Sequence, residues 1–197
     1  MTKVIEAESG FKVWWHLTRP HTLTASFVPV LLGTAIAAIE DYNINILLFL
    51  AMLVASILIQ AATNMFNEYY DFKRGLDNEH SVGIGGTIVR HGVAPRTIMI
   101  IALSFYSLAM VLGIYICAVS SWWLVAVGLV CMLIGFLYTG GPYPIAYSPF
   151  GELVSGAVMG MGIVLIAFFI QSGTVSWEAL LISVPSMILV GAIMLSN

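Results

Sequence analysis

Asn64-Met-Phe-Asn67-Glu68-Tyr-Tyr-Asp71-Phe-Lys73-Arg74-Gly75-Leu-Asp77 is a cluster of carboxamides, carboxylates and cations joined to the end of a hydrophobic run. That run, roughly Ile44 to Phe66, is long enough to cross a bilayer. Gln60, Asn64, Asn67 and Asp71 fall at i, i+4, i+7 and i+11. At helical periodicity this makes one narrow polar stripe over roughly 16 Å of axis. Polar groups at membrane depth are costly and by default mark function. The stripe is therefore expected to face a cavity, a partner helix or a polar ligand rather than lipid.

The rest of the composition sets the frame for this helix. Hydrophobic residues make up 60% of the 197 and charged residues 9%, with a mean hydropathy of +0.99. Soluble domains carry about 25% charged residues. The chain is expected to be an all-α polytopic membrane protein, because only helices or closed barrels satisfy the backbone in lipid. A barrel would show short alternating segments, whereas these runs are continuous. Six spans are expected, at about 22–39, 44–66, 97–118, 122–139, 151–171 and 179–196, with no soluble domain between them. Ala35-Ile-Ala37 imitates a signal-cleavage site, but the run reads equally as a first span and more spans follow.

The seven basic residues are Lys3, Lys12, Arg19, Lys73, Arg74, Arg90 and Arg96, all in the N-terminal tail or the 67–96 connection. An even number of crossings separates those segments, so they share one face, and the positive-inside rule makes it cytoplasmic. The opposite loops carry Glu40, Asp41 and Glu178. Trp14 and Trp15 read as an interfacial anchor. Cys117 and Cys131 lie in separate apolar runs with no metal spacing and read as small buried hydrophobes. The cations are too few and too close to the membrane surface for nucleic-acid binding.

Asn67 and Asp71 share a helix face, whereas Asp77 on a continuous helix would point about 240° away. Gly75 offers a place for the helix to end, and a turn there would swing Asp77 back toward Asp71. Two carboxylates and a carboxamide, without His or Cys, suit Mg²⁺, which takes one or two carboxylates plus substrate phosphates. Lys73, Arg74, Arg90 and Arg96 in the same connection suit phosphate oxygens. Acid for metal beside base for phosphate, at a membrane face, points to a lipid diphosphate. Gly83-Ile-Gly85-Gly86 is either a phosphate-approaching backbone or a flexible loop. Tyr138, Tyr143 and Tyr147 flank the turn-rich Gly140-Gly141-Pro142 and Pro144 segment. They either line an aromatic pocket able to face a cation or form an interfacial belt.

Asn67-x-x-x-Asp71-x-x-x-x-x-Asp77 resembles the first aspartate-rich motif of the UbiA superfamily of intramembrane prenyltransferases. Together with Gln60–Asp77, Gly83–Arg90, Arg19-Pro20-His21-Thr22 and Thr139-Gly-Gly-Pro-Tyr-Pro-Ile-Ala-Tyr-Ser-Pro-Phe-Gly-Glu152, it resembles the MenA branch, the 1,4-dihydroxy-2-naphthoate polyprenyltransferases. The resemblance implies a nine-helix bundle, of which six transmembrane helices are present here. It implies Mg²⁺ as cofactor, polyprenyl diphosphate and 1,4-dihydroxy-2-naphthoate as substrates, and the lipid bilayer as surroundings. The reaction so implied is prenyl transfer with loss of CO₂ and diphosphate, giving demethylmenaquinone.

By position, Asn67, Asp71 and Asp77 become the metal and catalytic set. Tyr138 becomes a wall of the reaction chamber, and Asn64, Lys73, Arg74 and Arg90 become the substrate contacts. Some relatives have Asp after the motif Asn, where this chain has Glu68, the same charge on a longer arm. The family's second aspartate-rich motif lies at the end of span six, where this sequence stops at Leu195-Ser196-Asn197. The expectation is a single transmembrane domain over 1–197, the N-terminal two-thirds of such an enzyme, inactive by itself. Other readings are a UbiA-type transferase with a different aromatic acceptor, a transporter, or a non-catalytic lipid-binding fragment. A CDP-alcohol phosphotransferase would need a DGxxAR segment, which the sequence lacks.

Overall fold

The computed structural model describes residues 10–77 and 86–195. Gly83 and Gly85, singled out above in the polar connection, lie outside them, as do Glu79 and His80. The described residues form helices α1 (Phe11–Thr18), α2 (Pro20–Ile39), α3 (Ile46–Lys73), α4 (Thr87–His91), α5 (Pro95–Val119) and α6 (Leu124–Thr139). After a short 3₁₀ turn at Ile145–Tyr147 come α7 (Gly151–Ser172) and α8 (Trp177–Leu195). No strand occurs among the described residues.

Among the described residues, five helices are long and apolar enough to cross a membrane: α2, α3, α5, α7 and α8. The fourth expected span, α6, has only 16 residues. At 1.5 Å per residue it rises about 24 Å, short of the roughly 30 Å hydrocarbon core, and it is entered through the exposed Trp122 and Trp123. The protein is thus an all-helical, multi-pass membrane protein of five long spans and one shorter apolar helix.

Local chemistry sets the helix ends. Pro20 and Pro95 open α2 and α5, where proline's missing N–H costs no hydrogen bond. Asn45 Oδ1 caps α3 by accepting from Leu47 N at 3.1 Å and Leu48 N at 3.2 Å. Gly75, at φ 72, stops it. The 28 residues between rise about 42 Å, so α3 overshoots the hydrocarbon core and carries Asn67–Lys73 beyond it. The apolar span expected to end at Phe66 sits inside a longer helix that runs on through the polar stripe and stops at Gly75, as the sequence suggested.

α3 packs along α5 and also meets α2 and α6, while α2 packs on the second half of α7. One core cluster, around Leu48, Met52, Ile116, Leu124 and Ala167, lies toward the outer loops. The other, around Leu17, Met65, Phe66, Ile88 and Ile98, lies beneath the polar connection. There Phe66 meets Tyr106 and Phe136 edge-on, with ring centroids at 5.1 and 5.3 Å. α1 joins that cluster through Leu17 and leaves Trp14 and Trp15 exposed, as a surface helix should.

The 40–45 and 171–176 segments are tied together at the other end. Asn45 N donates to Gln171 Oε1 at 2.8 Å, and Ser176 Oγ donates to Glu40 Oε1 at 2.9 Å. Within α7, Gly156–Gly162 is a π-helix that the sequence reading did not anticipate. A Cβ on Gly160 would stand 2.6 Å from the Met187 Cα and Ser186 carbonyl of α8, so these helices approach to backbone distance.

Candidate active site

The polar stripe of α3 faces the α1–α2 junction, with Gln60 and Asn64 buried and Asn67 and Asp71 half-buried. Asn64 Nδ2 donates to the Thr18 carbonyl at 2.7 Å and to Thr22 Oγ1 at 2.8 Å, and Asn64 Oδ1 accepts from Gln60 Nε2 at 3.4 Å. Both Asn64 donor hydrogens are therefore committed inside the protein. Asn64, expected as a substrate contact, lines the cavity and also ties three helices together at the site.

Arg19 sits between α1 and α2 with φ 48, a left-handed conformation that costs an L-residue about 1–2 kcal/mol. Its side chain is buried and aimed at α3. With the Asn67 carboxamide turned to the orientation that satisfies both of its ends, Nη1 donates to its oxygen at 3.0 Å; Nη2 lies 3.8 Å from Glu68 Oε2. The nitrogen of the same Asn67 carboxamide donates to Asp71 Oδ2 at 2.6 Å. Asn67 thus bridges a buried cation and a carboxylate. Its oxygen faces Arg19, so within this arrangement it orients Asp71.

Glu68 points away from the stripe. It is 2% exposed, and it accepts from Gly86 N at 3.1 Å and from Ile88 N at 3.0 Å. It thereby holds the start of α4 and returns the polar connection to the bundle. The longer arm of Glu suits this reach.

Asp71 also accepts the Tyr147 hydroxyl at Oδ1, at 2.8 Å. The turn at Gly75 brings Asp77 back toward α3, into the field of Glu68, Asp71, Arg19 and Arg90. Burial, and then the negative charges of Glu68 and Asp71, push the Asp77 carboxyl above its ordinary pKa against the pull of the two arginines. Asp77 Oδ2 is buried and has no hydrogen-bond partner among the described residues. The chemistry of this donor set fits a cation. No group of three or more His, Cys, Asp or Glu side chains that could hold a metal occurs among the described residues. A metal here would take carboxylate oxygens together with oxygens of a ligand, the habit of Mg²⁺.

The other expected cations differ from one another. Arg74 lies over the rings of Tyr70 and Tyr147, at 5.3 and 5.5 Å from their centroids, and its Nη2 donates to the Gly141 carbonyl at 2.9 Å. It staples the 140–150 loop to α3, and its buried Nη1 has no protein partner among the described residues. Lys73 and Arg90 are exposed at the same end, Arg90 lying against Gly86. Of the three tyrosines, Tyr147 is bound to Asp71, Tyr138 lines a cavity, and Tyr143 is 91% exposed.

That cavity, of about 220 Å³, runs inside the bundle between α3, α5, α6 and α7. Its inner end is polar, with Gln60, Asn67, Tyr138, Thr139 and Ser155. Its outer end is apolar, with Met52, Ile116, Leu124, Ile163 and Ile166. From Asn67 to Met52 it follows α3 for about 22 Å of helix rise. The cavity thus ends at Asn67, one turn of α3 short of Asp71, and its own lining is uncharged.

Residues 26–197 match the UbiA prenyltransferase family. The chain belongs to that family. The match covers most of α2 and everything after it, including the stripe and the cavity; Arg19 and α1 precede it. Among UbiA relatives, the chain is 62% identical over 192 residues to the 1,4-dihydroxy-2-naphthoate octaprenyltransferase of Bacillus subtilis (strain 168), covering 98% of this chain and 61% of that protein. It is 31% identical over 189 residues to the protein of the same name in Mycobacterium tuberculosis, covering 96% of this chain and 64% of that protein. It is 32% identical over 182 residues to the UbiA prenyltransferase domain-containing protein 1 of Xenopus tropicalis, covering 91% of this chain and 52% of that protein. The similarity to the two octaprenyltransferases supports the MenA branch, and the chain spans somewhat under two-thirds of the length of these relatives.

Arg19, Glu68 and Thr139 take positions at the site to which the sequence reading gave no definite role. Arg19 and Thr139 stood in the segments that carry the family resemblance, and Glu68 stood out as the longer-armed acid after Asn67; which partners they meet was not readable locally.

Proposed function

We propose that the chain forms a transmembrane prenyltransferase domain over residues 1–197. The enzyme transfers a polyprenyl group from polyprenyl diphosphate to 1,4-dihydroxy-2-naphthoate, releasing CO₂ and diphosphate and yielding demethylmenaquinone. The observation that carries this reading is the long apolar cavity ending at Asn67, one turn below Asp71, in a chain 62% identical to a named octaprenyltransferase.

Asp71 and Asp77, oriented by Asn67, would hold Mg²⁺ together with diphosphate oxygens. The orphaned, negatively crowded Asp77 oxygen is the group such an ion would satisfy. When bound, the ion supplies electrostatic neutralisation of the departing diphosphate. Lys73, Arg90 and the free Nη1 edge of Arg74 face the same anion from the polar connection. The apolar lining of α5, α6 and α7 holds the prenyl chain and keeps water from the allylic carbon as positive charge develops there. Tyr138 offers that charge an aromatic wall at the cavity's inner end. Asn64 and Gln60 keep the mouth in shape. The polar mouth is assigned to the cytoplasmic face of the cell membrane, with the N-terminus on the same side, because the basic residues gather there.

The test is product formation by the purified product of the complete gene in lipid nanodiscs. It would be given a polyprenyl diphosphate and 1,4-dihydroxy-2-naphthoate, with Mg²⁺ or with EDTA, and read by mass spectrometry. Mg²⁺-dependent demethylmenaquinone is expected. Equal turnover of 4-hydroxybenzoate would overturn the acceptor assignment, and no product with either acceptor would overturn the transferase reading.

A further inference from the structure

Hydroxyls on these helices habitually close onto their own backbone. Ser26, Ser104, Ser107 and Ser155 each donate to a carbonyl three or four residues earlier, at 2.7 to 3.0 Å. Thr139 does not. Its Oγ1 is buried and has no hydrogen-bond partner among the described residues, although the residue is only 3% exposed. Thr139 also lines the inner, polar end of the cavity. A buried hydroxyl left unpaired costs about 1–3 kcal/mol, which makes the position a candidate for a ligand contact.

Its level in the cavity follows from the register of α3 and α6. The two helices run in the same direction, separated by an even number of crossings. A Cβ on Gly135 would stand 3.4 Å from Thr63 Oγ1, so these residues face each other. One turn onward, about 5.4 Å, α3 presents Asn67 and α6 presents Thr139. The unpaired hydroxyl therefore stands at the level of Asn67, one turn short of Asp71, on the wall that carries Tyr138 and Ser155.

We infer that Thr139 Oγ1 binds a phenolic hydroxyl of the aromatic acceptor and is a specificity-determining residue for it. This rests on the transferase reading above. The other substrate has nothing to offer at that level. An allylic chain carries no hydrogen-bonding atoms, and its diphosphate belongs one turn farther out with Asp71 and the cations. A ring bearing hydroxyls, held beside Tyr138, meets the threonine with a group that can donate or accept.

The experiment compares Thr139→Val, which keeps the shape and deletes the hydroxyl, with Thr139→Ser, which keeps it. For Thr139→Val, the equilibrium Kd and the KM for 1,4-dihydroxy-2-naphthoate should rise roughly three- to tenfold, the worth of one hydrogen bond. The KM for polyprenyl diphosphate should stay within about twofold. Thr139→Ser should restore acceptor affinity. The Tm of ligand-free Thr139→Val should equal or exceed that of the wild type, since no protein hydrogen bond is lost. Unchanged acceptor Kd, a rise in the prenyl diphosphate KM instead, or a Tm falling in step with activity would each overturn the assignment. Wild-type protein that binds the acceptor but forms no product would overturn the transferase reading, and the Kd comparison would still decide the role of Thr139.

Discussion

Arg19 and Asn67, 48 positions apart in sequence, share a 3.0 Å hydrogen bond, and the far end of the same carboxamide donates to Asp71. The first aspartate of the site is thus aimed by a residue on the far side of the helix junction. Arg19→Lys tests this relay. A lysine ammonium is a point donor and cannot face Asn67 and Glu68 together. Prenyl transfer should fall at least about tenfold, and Tm should drop because Glu68 is left buried with less compensation. Activity and thermal unfolding of the same detergent-solubilised preparations check it. Wild-type values for both would remove Arg19 from the site.

Asp71→Asn and Asp77→Asn should each cut prenyl transfer by a factor on the order of 10² or more, since each removes an anionic ligand for the Mg²⁺ that would neutralise the diphosphate. Saturating Mg²⁺ should not rescue either variant. Asp71→Asn with wild-type turnover at limiting Mg²⁺ would place the site elsewhere.

Asp77→Asn carries a second signature in the absence of Mg²⁺. The Asp77 carboxyl is raised above its ordinary 3.8 by burial and by Glu68 and Asp71, so the native state prefers it protonated. Below that value folded and unfolded chains both hold the proton, and ionisation costs nothing. As pH rises from there through the raised native pKa, the unfolded chain has lost the proton while the native chain retains it, and stability declines. Asn carries no such charge. The metal-free variant should therefore be the more stable protein at neutral pH, with the difference closing below about pH 4. Tm measured across pH in EDTA gives the curve. A variant less stable than wild type at neutral pH would contradict it.

Glu68→Gln should act on stability first. The carboxylate accepts two backbone N–H groups, from Gly86 and Ile88, and faces Arg19. A carboxamide offers one acceptor and turns an NH₂ group toward a donor, which should cost about 1–3 kcal/mol. Thermal unfolding should register it, while the Mg²⁺ concentration for half-maximal activity stays near the wild-type value. A large shift in that concentration with unchanged Tm would make Glu68 a metal ligand.

The membrane orientation has its own test. Single cysteines at Asn43 and Gly173, in a background without Cys117 and Cys131, should both label with an impermeant maleimide added outside intact cells. Their segments meet at one end of the bundle through the Asn45–Gln171 and Glu40–Ser176 hydrogen bonds. Labelling only after permeabilisation would invert the topology.

Much of this protein is legible one segment at a time. Apolar runs place six helices to within a few residues, although one of them, α6, is shorter than a full span. The α3 helix runs past its apolar stretch to Lys73, where Gly75 was expected to end it. The i, i+4, i+7, i+11 spacing places Gln60, Asn64, Asn67 and Asp71 on one face, and Gly75 marks where Asp77 can return. These are properties of a single helix and its cap, set by periodicity and local backbone sterics.

What faces the stripe was settled only by tertiary structure. One helix's period shows that a partner must exist and cannot name it. Arg19, the Thr18 carbonyl and Thr22 became those partners through the junction of α1 and α2. Glu68 turned from the metal question to the capture of α4, and Thr139 kept a hydroxyl free at the depth of Asn67. A carboxylate or hydroxyl has the same local propensity whether it meets a cation, a backbone amide or open space. Packing between distant segments decides which one it meets.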